Sequence, residues 1–157
     1  MSDDLLSQFS GNLQRVQAAF RLPPADLARS YAPGKWTGVQ LLIHIADTES
    51  SFLDRLRRAL SEHKPLLLAL DPDRWTARLG RPFRALATAE TLFSASRAAY
   101  IELLASVTAE EWSRTAVHTE YGLFTVRQIA EKAVWHADHH LSQVEAAAAG
   151  RTWVKPA

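Results

Sequence analysis

Apolar residues recur at helical spacing over four stretches of the chain, and no stretch alternates as a strand with a turn-linked partner. The pattern therefore predicts an all-α fold. The first helix is expected over residues 3–21, with Leu6, Phe9, Leu13, Val16, Gln17 and Phe20 along its inner stripe. It stops before Pro23 and Pro24, because proline cannot continue a helix and disfavours the α conformation before it. The second opens at "KWTGVQLL", where Thr37 can cap, Gln40 can reach back and Trp36 can pack on Leu41, a capping box with a hydrophobic staple. A third covers residues 85–106 and carries Leu86, Phe93, Tyr100, Leu103 and Leu104. "TAEEW" behind it, with Thr108 and Glu111, suggests one further short turn. "LFTVRQIA" repeats the start signal with Thr125 and Gln128, stapled by Phe124 and Ile129, and opens a last helix that runs out at "EAAAAG" and Gly150.

The four helices predict a bundle with two long connections. "SEHKPLLLALDPDRWTARLGRPF", between the second and third helices, exceeds the few residues that usually join bundle neighbours. Such a segment either crosses the bundle or covers a site. "SRTAVHTEYGL", between the third and fourth helices, is similar in kind, with Gly122 as its turn residue. Connections of this length permit crossovers as readily as simple up-and-down order, so the threading stays open.

Composition narrows the class. A chain of 157 residues, 47% hydrophobic and 22% charged, with six glycines and seven prolines, suits one soluble globular domain over residues 1–157. A formal net charge of +1 supplies no field toward nucleic acid or anionic lipid, so neither is expected as a partner. The acidic start "MSDDLLSQFS" lacks the order of a signal peptide and no apolar run is long enough for a bilayer, which points to the cytoplasm. The absence of cysteine removes disulfides, thiolate ligands and a cysteine nucleophile together. Any thiol chemistry must use a thiol that a substrate brings.

The candidate chemistry lies in the histidines, three of which fall within "HADHH" on the last helix. At about 100° per residue, His140 lies roughly 55° from the core direction, His136 roughly 95° and His139 roughly 155°. His139 therefore points outward. His136 and His140 sit one turn apart on one flank, where two imidazoles either converge on a single ion or remain two half-exposed histidines. The other histidine well inside a predicted helix is His44, roughly 115° off the core direction of the second helix, also on a flank. An ion held between flanks would sit in a groove at the bundle's edge, within reach of solvent or substrate. Glu49 falls near the centre of the apolar face of the same helix, where an unpaired carboxylate is costly. It either orients a metal-bound histidine, ligates or acts as a base, or it is a buried carboxylate satisfied by Tyr31, tryptophan or arginine groups. Gln143 shares the flank of His136 and His140, and His118, in a connection, can touch a bound ligand.

"KWTGVQLLIHIADTE" and "TVRQIAEKAVWHADHHLSQV", with "DPDRW" and "HTEYG" between them, together resemble the DinB/YfiT-like metalloenzyme family over nearly the whole chain. The resemblance implies a DinB-type four-helix bundle, often homodimeric, in which His44, His136 and His140 bind a divalent ion such as zinc or nickel. It also implies chemistry. Relatives include transferases that use low-molecular-weight thiols such as bacillithiol or mycothiol, a thiol-dependent maleylpyruvate isomerase, and proteins proposed as metal-dependent hydrolases. This chain departs from frequent family practice in having Ser142 where many members have glycine, and Lys132, one turn before His136, where some have histidine. Three neutral imidazoles leave a +2 ion with an open position, able to bring a bound water's pKa down to about 7 or to hold a substrate thiol as thiolate. The expected function is thiol transfer to an electrophilic small molecule, with Glu49 orienting a ligand and Arg74, Trp75 or Arg78 contacting substrate. A hydrolase of small esters or amides, and a non-catalytic binding bundle, are the alternatives. The outward face with Trp135, His139, Ser142, Ala146 and Ala149 either carries the dimer contact or packs under a long connection.

Overall fold

Apolar stripes become helices close to where the sequence places them in the computed structural model, which describes residues 2–80 and 84–155. In chain order the helices are α1 (Ser2–Phe20), α2 (Pro24–Leu27), α3 (Gly38–Ser61), α4 (Pro72–Leu79), α5 (Leu86–Ser106) and α6 (Val126–Ala148). The four long ones, α1, α3, α5 and α6, form the bundle. Both capping boxes are present. Thr37 Oγ1 accepts the Gln40 N–H and Gln40 Oε1 accepts the Thr37 N–H at 3.3 and 2.9 Å. Thr125 and Gln128 repeat the exchange at 3.2 and 2.9 Å. Thr125→Ala is expected to cost about 1 kcal/mol of stability by leaving a first-turn N–H unpaired, read as a lower urea midpoint.

α2 and α4 lie in connections where the sequence suggested no helix, being too short for an apolar period to show. Local chemistry makes α4 all the same: Asp71 accepts the Arg74 N–H at 2.9 Å and Pro72 occupies the first turn. The strands are a further addition. β1 (Leu66–Leu67), β2 (Thr115–His118) and β3 (Gly122–Thr125) form a sheet in that order, β1 parallel to β2 and β2 antiparallel to β3. Segments of two to four residues cannot display alternation, so pairing is decided by tertiary placement. Gly122 turns the β2–β3 hairpin at φ 70°, as its position suggested. Because β1 and β2 belong to different connections, the sheet clasps the two together against the bundle.

The threading is crossed. α1 packs on α5 and α6, and α3 packs on the same two, so α1 and α3 lie diagonally across the bundle. The core divides into two apolar halves. One is built around Phe9, Phe52, Leu56, Tyr100 and Ala133, the other around Val16, Leu41, Ile45, Phe93 and Leu141. On every long helix the residues at the boundary are polar: Asn12 on α1, His44, Thr48 and Glu49 on α3, Ser96 and Arg97 on α5, and His136 and Asp138 on α6. Among the described residues no helix is long and apolar enough to cross a membrane.

Candidate metal centre

One side of that polar layer brings three imidazoles together. His44 is held by α3, seven residues after its Thr37 cap, and His136 and His140 by consecutive turns of α6. The Nε2 atoms of His44 and His136 lie 3.1 Å apart, and one nitrogen from each of the three falls within 4.8 Å of the others. A tetrahedral ion with metal–nitrogen bonds of about 2.0–2.1 Å sets its ligand nitrogens about 3.3 Å apart, so the donor set fits a divalent ion of zinc type. Neighbouring side chains orient the rings. His140 Nδ1–H donates to Gln143 Oε1 at 2.8 Å, which leaves Nε2 with its lone pair facing His44 and His136. The Gln143 amide approaches His139 Nε2 at 3.4 Å, consistent with that orientation of the side chain. Thr48 donates to the His44 carbonyl at 2.7 Å, and its oxygen stands 3.5 Å from His136 Nδ1. Trp36 stacks along His140 and tilts over His44, while Phe52 packs on His136. The indole thus borders the imidazoles while also packing against the apolar half that contains Leu41.

Burial keeps these rings neutral, the state that ligates. It pulls His44 down to about 3 and His140 down to about 4, with neighbouring histidines adding to the effect. His136 is likewise held well below the usual histidine range by burial. A histidine that charges at about 6.5 when unfolded but stays neutral when folded contributes stability above that pH and loses it as the pH falls toward the folded value. Metal-free protein is therefore expected to lose about 2 kcal/mol between pH 6.5 and 5 on account of His44. Urea midpoints at the two pH values, compared with those of His44→Gln, measure it.

From the histidines a cavity of about 370 Å³ extends beneath the sheet. The sequence placed these residues in an open groove, yet His44 is only 4% exposed. A helical wheel counts only the bundle's own faces, whereas here Leu67, His118, Tyr121 and Phe124 of the sheet and hairpin roof the groove. His118 lines the cavity, its Nδ1 accepting the Glu120 N–H at 3.2 Å and its ring stacked on Tyr121. Gln143 reaches the centre through His140. Arg74, Trp75 and Arg78 do not line this cavity: α4 contributes Pro72 instead, and Arg74 pairs with Asp71 at 3.3 Å. Glu49 does not line it either. Its carboxylate accepts from Arg97 Nη2 at 2.6 Å, the buried ion pair that was the second of the two expected roles. Arg55 and Lys132 do line it, although the sequence singled out neither for substrate. The signal was present: Arg55 lies 11 residues after His44 and Lys132 four before His136, both spacings that return to the same flank.

The outward face of α6 is partly covered by the chain's own end. Gly150, at φ 66°, reverses the chain as Arg151 N–H reaches the Ala146 carbonyl and Gly150 N–H the Ala147 carbonyl. Trp153 then packs edge-on against His139 and donates to Ser142 Oγ at 2.8 Å. Trp135 stacks on His139 and stays 49% exposed.

A family model described as the DinB superfamily matches residues 8–144. A protein of Oceanobacillus iheyensis named "putative metal-dependent hydrolase" is 27% identical over 122 residues, covering 78% of this chain and 70% of its own. YfiT of Bacillus subtilis, which bears the same designation, is 24% identical over 133 residues, or 82% and 72% of the two chains. The solved YfiT structure, described as a four-helix bundle of unusual topology, matches with a TM-score of 0.86 at 19% identity over 98% of this chain and 89% of that one. The structure of a mycothiol-dependent maleylpyruvate isomerase matches at 0.74 and 12% identity, over 92% and 60%. At such identities the structural likenesses show the shared fold.

Proposed function

Because the chain belongs to the DinB superfamily, we propose that it is a divalent-metal-dependent enzyme acting on an electrophilic small molecule, in the first place by transfer of a low-molecular-weight thiol. The observation that carries the reading is the convergence of three neutral imidazoles at one end of an apolar-walled cavity. A divalent ion held by His44, His136 and His140 would supply Lewis acidity at an open position, lowering the pKa of a water or thiol that binds there. The chain's own residues do the rest. Among the described residues the cavity lining offers no serine or cysteine, and its one threonine, Thr48, donates its proton to the His44 carbonyl, so in this reading the nucleophile arrives with a co-substrate or with solvent. Gln143 holds the proton of His140 on Nδ1, and Trp36 and Phe52 exclude water from the ring faces. His118, its Nδ1 already accepting a backbone N–H, offers Nε2–H as a donor toward a substrate.

A second reading, hydrolysis of a small ester or amide, is favoured by the designation of the relatives as metal-dependent hydrolases. The two separate in one set of assays on the zinc-loaded and nickel-loaded protein. Conjugation of bacillithiol or mycothiol to monobromobimane or a chloroaromatic, faster with metal than without, supports transfer. Metal-dependent cleavage of nitrophenyl esters or anilides without that conjugation supports hydrolysis instead, and neither activity in either form would overturn both. A homodimer through the exposed remainder of the α6 face around Trp135 is also proposed. A monomeric mass by light scattering at micromolar concentration would refute it.

A further inference from the structure

The metal centre occupies one end of the cavity, and the rest of the lining carries an imbalance of charge that catalysis at the ion does not explain. Arg55 from α3 and Lys132 from α6 both face it. Arg55 is anchored by one bond, Nη2 to the Leu68 carbonyl at 2.7 Å, and lies over the Phe52 ring. Lys132 has its ammonium 3.9 Å from the centre of the Trp135 ring and 5.7 Å from that of Tyr121. Among the described residues neither cation has a carboxylate oxygen within 4.0 Å. The one carboxylate on the lining, Glu120, sits on the exposed hairpin turn. Burial lowers the pKa of both side chains, which marks their charges as partly desolvated. Glu120 and Asp54 act on Arg55 only from beyond contact distance. Cations kept partly out of water beside aromatic walls, with no carboxylate in contact, are a recognition device for an anion attached to an apolar body. A space of about 370 Å³ is of small-molecule size.

We propose that Arg55 and Lys132 form an anion subsite, so that the cavity selects small molecules carrying a carboxylate or comparable anionic group next to an aromatic or aliphatic body. As the substrate class of the proposed enzyme, this rests on the metal-dependent reading above, but the subsite itself does not need the ion. Selection would come from contrast: a neutral isostere leaves both cations desolvated and unpaired, whereas an anion pairs them.

The test is calorimetric titration of the full chain, zinc-loaded and chelator-treated, with 3-phenylpropanoate and its neutral isostere 3-phenylpropanamide. The carboxylate should bind at least about tenfold more tightly than the amide in both forms, the factor expected of one charge-assisted contact. Lys132→Met should bring that ratio down to about two or less while the amide's affinity is retained. Arg55→Met should do the same, and because Arg55 also ties down the Leu68 carbonyl, Lys132→Met is the cleaner of the two. A ratio near one in the wild type, a ratio that survives both substitutions, or no binding of the carboxylate at millimolar concentration would overturn the proposal. A preference seen only in the zinc form and untouched by the substitutions would assign the carboxylate to the ion, sinking the subsite while sparing the metal centre. A chain that refuses zinc yet keeps the preference would do the reverse.

Discussion

Replacing Arg97 with methionine is expected to lower the unfolding free energy by about 3–5 kcal/mol, the largest effect foreseen for any single substitution here. Arg97 has no exposed surface and Glu49, its partner at 2.6 Å, has 2%. The guanidinium is sandwiched between Phe9 and Phe93, its carbon 4.6 and 5.3 Å from the two ring centres. Removing it strands a carboxylate that has no other counter-charge among the described residues, between two apolar halves of the core. Methionine refills most of the volume, so the loss reports charge rather than packing. Two controls distinguish this cause. Glu49→Leu in the Arg97→Met background should recover much of the stability by removing the stranded charge. Burial already raises the Glu49 carboxyl, against the pull of Arg97. Without the guanidinium that rise is larger, and a carboxyl raised on folding stabilises below its unfolded pKa and loses that contribution as the pH climbs through the folded value. The single variant should therefore gain stability relative to wild type as the pH falls from 7 to 5. Urea unfolding at the two pH values decides, and a loss under 1 kcal/mol at pH 7 would mean that water reaches Glu49 and the layer is wet.

His136→Ala is expected to abolish stoichiometric metal binding while the fold survives. Purified wild type should carry about one divalent ion per chain, since its three donors are preset by Gln143, Thr48 and packing. The variant retains two, and its affinity for zinc, measured by competition with a chromophoric chelator, should fall by more than about 100-fold. His44→Ala should match it, whereas His139→Ala, whose ring faces Trp135 and Trp153, should keep the ion. Gln143→Leu should fall between them, at about 10- to 100-fold weaker, because it frees the His140 tautomer without removing a donor. Helical circular dichroism should be unchanged throughout, the cluster lying at one side of the layer rather than in the apolar halves. Equal metal content in wild type and His136→Ala would disprove the three-histidine centre.

These two sets of residues differ in how far they could be read in advance. The histidine triad was legible through the family resemblance, which joins a four-residue spacing on one helix to a histidine at a set distance from a capping box on another; the spacings alone left its convergence open. Glu49 was legible as a problem, a charge on an apolar face, but not in its solution. Arg97 lies 48 residues away on a helix with a weakly marked stripe, and only the packing of α3 on α5 brings the two together. Arg74, Trp75 and Arg78 lie outside the lining of this cavity, a placement the sequence could not show because a long connection has no periodicity to aim it. The cavity's cations, by contrast, were written in the flank spacing of His44 and His136 and needed only the roof to become meaningful.

By itself the sequence determined the four long helices, their two boxed starts, the Gly122 and Gly150 reversals, and the shared flank of His136 and His140. All of these rest on interactions within one turn or on a helical period, which a single stretch of chain expresses without its neighbours. The tertiary structure alone decided the diagonal placement of α1 and α3, the Glu49–Arg97 pair and the three-stranded roof that turns a groove into a cavity. Each depends on segments far apart in the chain meeting at a few points. Pairings of two to four residues, or of one charge with another, carry too little local signal to be seen before the helices have packed.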